Sequence, residues 1–305
     1  MRDMRDMDSQ IHRLIPDQRV RGILRGLTAL MDAVFPGRIR GYYLLGSYTE
    51  RTSVALSDID LYVLFRERLG TEEGEVFARV VEACGLLSPI RLDITPWSDE
   101  TLRIEDVRLK LGSICIAGED IRARLPLPMP EAHARYITQW ANFFIRRFHD
   151  GVSLHPPLAY PDSSDEFYGY ASVRIEAWYP PGETSGTKEL VATICWTATA
   201  LLSLTLGAAG YVGTKGEAVR RYHALGNGTW SAYVAEVYAQ CKGAWQYAAP
   251  AGAQEREQLR ALCARALSFF NHYLETYAVY LREQRQADDP AQRSWAEERL
   301  GELAG

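Results

Sequence analysis

Asp58 and Asp60 stand two residues apart in Ser57-Asp58-Ile59-Asp60-Leu61, and on an extended chain residues i and i+2 project from the same face. The two carboxylates therefore point together, while Ile59 and Leu61 point into a core. Like charges that close repel unless a cation lies between them. Carboxylates are hard oxygen ligands suited to Mg2+, which is held by one or two of them together with substrate phosphate. The spacing predicts a phosphate-handling metal site. Taken without its surroundings, Asp-Ile-Asp is also what an edge strand with a wet face looks like.

The flanking residues narrow the choice. Residues 42–45 form an apolar run of strand length that Gly46-Ser47 breaks, and residues 59–65 form a second β-rich run, with a short polar connector between them. Gly-Ser followed about ten residues later by Ser-Asp-h-Asp-h, where h is apolar, resembles the signature of the nucleotidyltransferase superfamily typified by DNA polymerase β and the antibiotic nucleotidyltransferases. The resemblance implies a third carboxylate on a neighbouring strand, and Asp93, flanked by Leu92 and Ile94, stands in such a run. It also implies two Mg2+ ions bridged by Asp58 and Asp60, one of them shared with Asp93, which becomes the candidate general base. Gly46 would let the backbone approach the triphosphate of an ATP donor, Ser47 would donate hydrogen bonds to it, and Ser57 would help place phosphate.

The second half carries a further likeness. A strongly apolar helix followed by Gly207-Ala-Ala-Gly210-Tyr-Val-Gly213-Thr214-Lys215-Gly216-Glu217-Ala218 is similar to the helical domain of streptomycin/spectinomycin-type aminoglycoside adenylyltransferases. In that family a lysine at the position of Lys215 faces the nucleotide phosphates. Ile116-Ala117-Gly118 resembles the Ile-x-Gly that ends the family's catalytic domain. The chain departs from the pattern in three places: the apolar helix has no arginine at 193–196, the interval to Lys215 is longer, and the third acid is aspartate where glutamate is frequent.

On this resemblance the expected activity is Mg2+-dependent transfer of AMP from ATP to a hydroxyl of an aminoglycoside-type acceptor, with pyrophosphate leaving, a chemistry of antibiotic resistance. A lincosamide, a nucleotide or a protein side chain is the alternative acceptor. The alternative of a different class is a non-catalytic binding module on the same fold, which gives no physical reason to keep three carboxylates adjacent.

Composition sets the outer bounds. The chain has 305 residues, 47% of them hydrophobic, which is ordinary for a soluble protein with room for two domains. A net charge of −5 and a pI near 5.8 argue against a sequence-nonspecific nucleic-acid binder and suit a cationic small substrate. The five cysteines, 84, 115, 195, 241 and 263, are odd in number and widely spaced, and read as buried thiols of a reducing, cytoplasmic compartment. The first fifteen residues lack an apolar core of a secretory signal. Residues 190–214 carry no charge, yet Thr193, Thr197, Thr199, Ser203 and Thr205 interrupt them and no basic cluster flanks them, so a helix buried among helices is expected rather than a membrane span.

Periodicity supplies the rest. Residues 17–34 and 71–84 read as amphipathic helices on either side of the two strands, with Thr71 as N-cap and Gly85 as terminator of the second. The Asp93 strand, a helix capped by Ser98 and a strand at 113–116 follow. The expected fold is α+β: a nucleotidyltransferase-fold domain with a small mixed sheet over residues 1–125, then an all-α bundle over 126–305 that closes the nucleotide site. The bundle's helices are expected at 131–149, 167–179, 188–206, 214 onward (opened by a capping box), 229–245 and 254–282, with a peripheral tail. Asp162, Asp165, Glu166, Glu176 and Glu183 read as a solvated loop face, or alternatively as an acidic rim for a cationic acceptor.

Overall fold

The computed structural model describes residues 11, 14–98, 100, 102, 107–149, 151, 153–171, 186–226 and 228–305. They group into two compact units: Met1–Pro128 together with Val212–Gly216, and Met129–Tyr211 together with Glu217–Gly305. The short segment carrying Lys215 thus belongs with the first unit, although it lies deep in the second half of the chain.

The first unit begins with α1 (Gln18–Val34), whose N-cap Asp17 accepts from the amides of Arg19 and Val20 at 2.8 and 3.2 Å. Its three-and-four spacing buries Val20, Leu24, Leu27 and Met31. Strand β1 (Ile39–Leu45) leads through the single helical turn α2 (Ser47–Glu50) to β2 (Ile59–Phe65). Helix α3 (Thr71–Leu87), β3 (Leu92–Ser98), the short α4 (Val107–Gly112) and β4 (Ile114–Gly118) complete the unit.

The four strands lie in the order β3-β2-β1-β4. β1 runs antiparallel to both β2 and β4, while β2 and β3 are parallel, as the helical crossover α3 requires. Alternation along β2 sorts its residues. Ile59, Leu61, Val63 and Phe65 face one core with α1 and with Phe77 of α3, where Phe65 meets Phe35 and Phe77 edge-on at 5.3 and 5.8 Å. Leu64 faces a smaller core with Tyr43, Leu45 and Leu109.

Two local expectations are corrected. Gly70, not Thr71, is the N-cap of α3, and the Glu73 carboxylate accepts from its amide at 3.0 Å. Gly85 does not end that helix, which runs to Leu87. Ser98 is the last residue of β3, paired with Phe65, and most of the helix expected after it lies outside the described residues.

The second unit is helical among its described residues: α5 (Pro130–Phe148), α6 (Lys188–Leu206), the remainder of α7 (Lys215–Ala224), α8 (Thr229–Val237) with a π-helical continuation over Tyr238–Ala244, α9 (Ala253–Gln284) and α10 (Pro290–Ala304). α6 is the uncharged run, buried from Leu190 to Cys195 and from Thr197 to Ser203, so that a helix long and apolar enough to cross a membrane serves as a core helix. The C-terminal tail is not merely peripheral, because α10 buries Gln292 and Ala296. Residues 167–171 form turns rather than the start of a helix, and the remainder of that expected helix, including Glu176, Trp178 and Tyr179, lies outside the described residues, as does Glu183.

Candidate active site

The parallel register sets Asp60 of β2 directly opposite Asp93 of β3. Asp58 lies two residues before Asp60 on the approach to the strand. One carboxylate oxygen from each of the three lies within 4.8 Å of the others, with Asp58 and Asp60 half-buried and Asp93 exposed on the edge strand. The Asp60 carboxyl is pushed up to about 6: burial is the largest cause, the Asp58 charge adds to it, Arg108 and Lys215 pull it back, and Asp93 adds a smaller upward push. Three hard oxygen donors this close suit a hard divalent cation such as Mg2+.

Gly46 belongs to the same construction. It follows Leu45, which pairs with Asp60 across β1 and β2, and adopts φ 71° and ψ −149°, a conformation that L side chains rarely take. A Cβ there would collide with the Asp60 carboxylate. The expectation gave Gly46 to the triphosphate, and the structure adds that the acid itself needs the room. Ser47 opens α2 beside it, half-buried, with its carbonyl accepting from the Thr52 amide at 2.9 Å. Ser57 is 5% exposed and its hydroxyl accepts from the Val54 amide at 2.9 Å, which closes the loop that delivers Asp58.

Lys215, at the start of α7, is half-buried and close enough for its charge to act on Asp60. Thr214, expected to open a capping box, directly precedes α7, and its hydroxyl donates to the Glu50 carboxylate at 2.6 Å.

Two contributors were not legible as site residues. Arg108 comes from α4, sits with its guanidinium 5.9 Å from the Tyr62 ring and acts on Asp60. Nothing in the spacing of Val107-Arg108-Leu109 distinguishes it from a surface residue. Glu50 ties α2 to the segment before Lys215, and a lone glutamate four residues after Gly46 carries no signal of that.

In the second unit the acidic-rim residues divide. Glu166 is paired with both Arg256 and Arg260, and Asp162 accepts from the hydroxyl and amide of Ser164, so neither is a bare charge awaiting a cation. Of the aromatics on α5, Phe144 is buried, whereas Trp140 is 36% exposed and stacks on Trp196 with ring centroids 6.2 Å apart.

No family model matches this chain, and no curated protein matches it. Among solved structures it is similar to the spectinomycin adenyltransferase AAD(9) of Enterococcus faecialis, crystallised with ATP and spectinomycin. That similarity has a TM-score of 0.48 and 12% identity, and covers 81% of this chain and 98% of that one.

Proposed function

We propose that this protein is a Mg2+-dependent nucleotidyltransferase that moves a nucleoside monophosphate, AMP from ATP, onto a hydroxyl of a small, aminoglycoside-type acceptor. The observation that carries the reading is the meeting of Asp58, Asp60 and Asp93 within 4.8 Å beside the Gly46 turn. Arg108 and Lys215 at its margin support it, because a polyphosphate needs cations around the metal-holding acids.

Asp58, Asp60 and Asp93 would hold Mg2+, which when bound would supply charge neutralisation along the triphosphate and on the departing pyrophosphate. Asp93, the exposed member on the edge strand, takes the proton of the acceptor hydroxyl. The acceptor oxygen forms its bond to the α-phosphorus as the bond from that phosphorus to the pyrophosphate oxygen breaks. Lys215 and Arg108 hold the triphosphate in line for that displacement. Ser47, at the start of α2, donates hydrogen bonds to the triphosphate, and Ser57, in the loop before Asp58, helps place phosphate. The free thiols, four of the five buried, fit a cytoplasmic enzyme.

A lincosamide, nucleotide or protein hydroxyl is compatible with the same acids, since acceptor choice resides elsewhere than in the shared chemistry. The deciding experiment incubates purified protein with each nucleoside triphosphate, Mg2+ and a panel of aminoglycosides and lincosamides, reading pyrophosphate release and product mass. Acceptor-dependent pyrophosphate release with a product heavier by one nucleoside monophosphate is expected. Absence of any such product across the panel, in protein shown to be folded, counts against the reading.

A further inference from the structure

Glu50 ends the turn α2 just beyond Gly46, and its carboxylate reaches a part of the chain remote in sequence. One oxygen accepts from the Thr214 hydroxyl at 2.6 Å and the other from the Gly216 amide at 3.3 Å. Lys215 is the residue between those two donors. Gly216 makes the approach feasible, because a Cβ there would stand 2.7 and 2.8 Å from the two Glu50 oxygens. A carboxylate at this point also meets the positive end of α7, and hydrogen bonds to a charged acceptor are about twice as strong as neutral ones.

A second clamp lies alongside. Thr49 donates from its hydroxyl to the carbonyls of Gly46 and Gly112 at 2.8 and 3.3 Å. The backbones of Gly112 and Gly213 approach so closely that a Cβ on either glycine would collide with the other. The turn after β1, the end of α4 and the segment Val212–Gly216 are therefore pinned together. Both ends of the pin touch the candidate site: Gly46 accommodates Asp60, and Lys215 acts on it.

We infer that Glu50 is a positioning residue, holding Thr214 and Gly216 so that Lys215 is aimed at the triphosphate of the donor; the inference rests on the nucleotidyl-transfer reading above. Glu50 touches neither nucleotide nor metal in this role and acts only through Lys215. A purely structural glutamate would alter stability without distinguishing ATP from AMP. A positioning glutamate must weaken the nucleotide that carries the extra phosphates.

The test uses the full chain as wild type, Glu50→Ala, Lys215→Ala, the double variant and Thr214→Val, with Asp58→Asn as the control for the reading itself. Two measurements are made: calorimetric affinity for ATP and for AMP with Mg2+, and hydrogen exchange of the amides of 212–216 against those of β2. Glu50→Ala is expected to speed exchange in 212–216 while β2 is unchanged, and to weaken ATP roughly tenfold with AMP unaffected. The double variant should bind ATP no worse than Lys215→Ala alone, because the two residues act as one unit. Thr214→Val should show the same pattern with a smaller loss. Additive losses in the double variant, or ATP affinity retained in Glu50→Ala, overturn the positioning role alone. Should Glu50→Ala speed exchange across β2 as well, Thr214→Val decides by the same criteria. Wild-type protein that binds no nucleoside triphosphate with Mg2+, behaving like Asp58→Asn, sinks the nucleotidyl-transfer reading and the role of Glu50 within it.

Discussion

Three carboxylates gather within 4.8 Å in the first unit, whereas in the second a helix of nineteen residues, α6, buries hydroxyls at Thr193 and Thr199 that return to its own backbone. Thr193 donates to the Glu189 carbonyl at 2.9 Å and Thr199 to that of Cys195 at 2.8 Å, and Thr138 on α5 does the same to Ala134 at 2.7 Å. A buried hydroxyl satisfied four residues back asks nothing of its surroundings. Three adjacent acids repel one another, and no bond back to their own strand removes that repulsion. Buried polarity that closes on its own backbone is packing, and acids gathered from two strands mark where a ligand is to be met.

The comparison breaks first at the acids. Asp58→Asn or Asp60→Asn is expected to reduce transfer to the assay floor, since each removes a metal ligand and its charge, while thermal stability without Mg2+ holds or rises through relief of repulsion. A variant that keeps near-wild-type turnover in a metal-dependent assay, or that loses its fold, means these acids are structural like the polar residues of the second unit.

Asp93→Asn should lower kcat by about 10²–10⁴ with nucleotide affinity little changed, the range for a general acid or base. An equal loss of ATP affinity with Mg2+ in calorimetry would make Asp93 mainly a metal ligand.

The second unit is expected to respond to pH through stability alone. His133 is 2% exposed, packs edge-on to Tyr211 at 4.4 Å, and has no hydrogen-bond partner on either ring nitrogen among the described residues. Burial pulls its imidazole from the ordinary 6.5 down to about 4. A group kept neutral in the fold but free to protonate when unfolded contributes stability above about 6.5 that is lost as pH falls toward about 4. The loss amounts to about 3 kcal/mol at most. His133→Phe should flatten that slope in urea titrations at pH 7 and 4.5, and an unchanged slope would assign the acid sensitivity to other groups.

Lys215→Ala gives the smallest expected change, an approximately tenfold loss of ATP affinity that spares AMP and shrinks at high salt through screening. Titration with both nucleotides at two ionic strengths measures it. Equal affinities would return Lys215 to the solvated surface.

What the chain declares locally is whatever repeats with the period of its own backbone. Asp58 and Asp60 face together because a strand has period two, and the buried length of α6 over Lys188–Leu206 follows from an uncharged stretch too long for a strand. The α+β division, with a small sheet ahead of a helical region, was legible for the same reason. Local preference misled at Thr71, a good capping residue that lies inside α3 while Gly70 is the N-cap. Tertiary structure alone decided the rest of the site. The match of Asp60 to Asp93 is a matter of register between parallel strands, and one residue of slip would turn Asp93 to the other face. Arg108 enters from a short helix whose sequence is unremarked. Glu50 and Thr214 meet across 164 residues, and only the packing of Gly112 on Gly213 and the missing side chain of Gly216 bring Lys215 into the first unit, where its charge reaches Asp60.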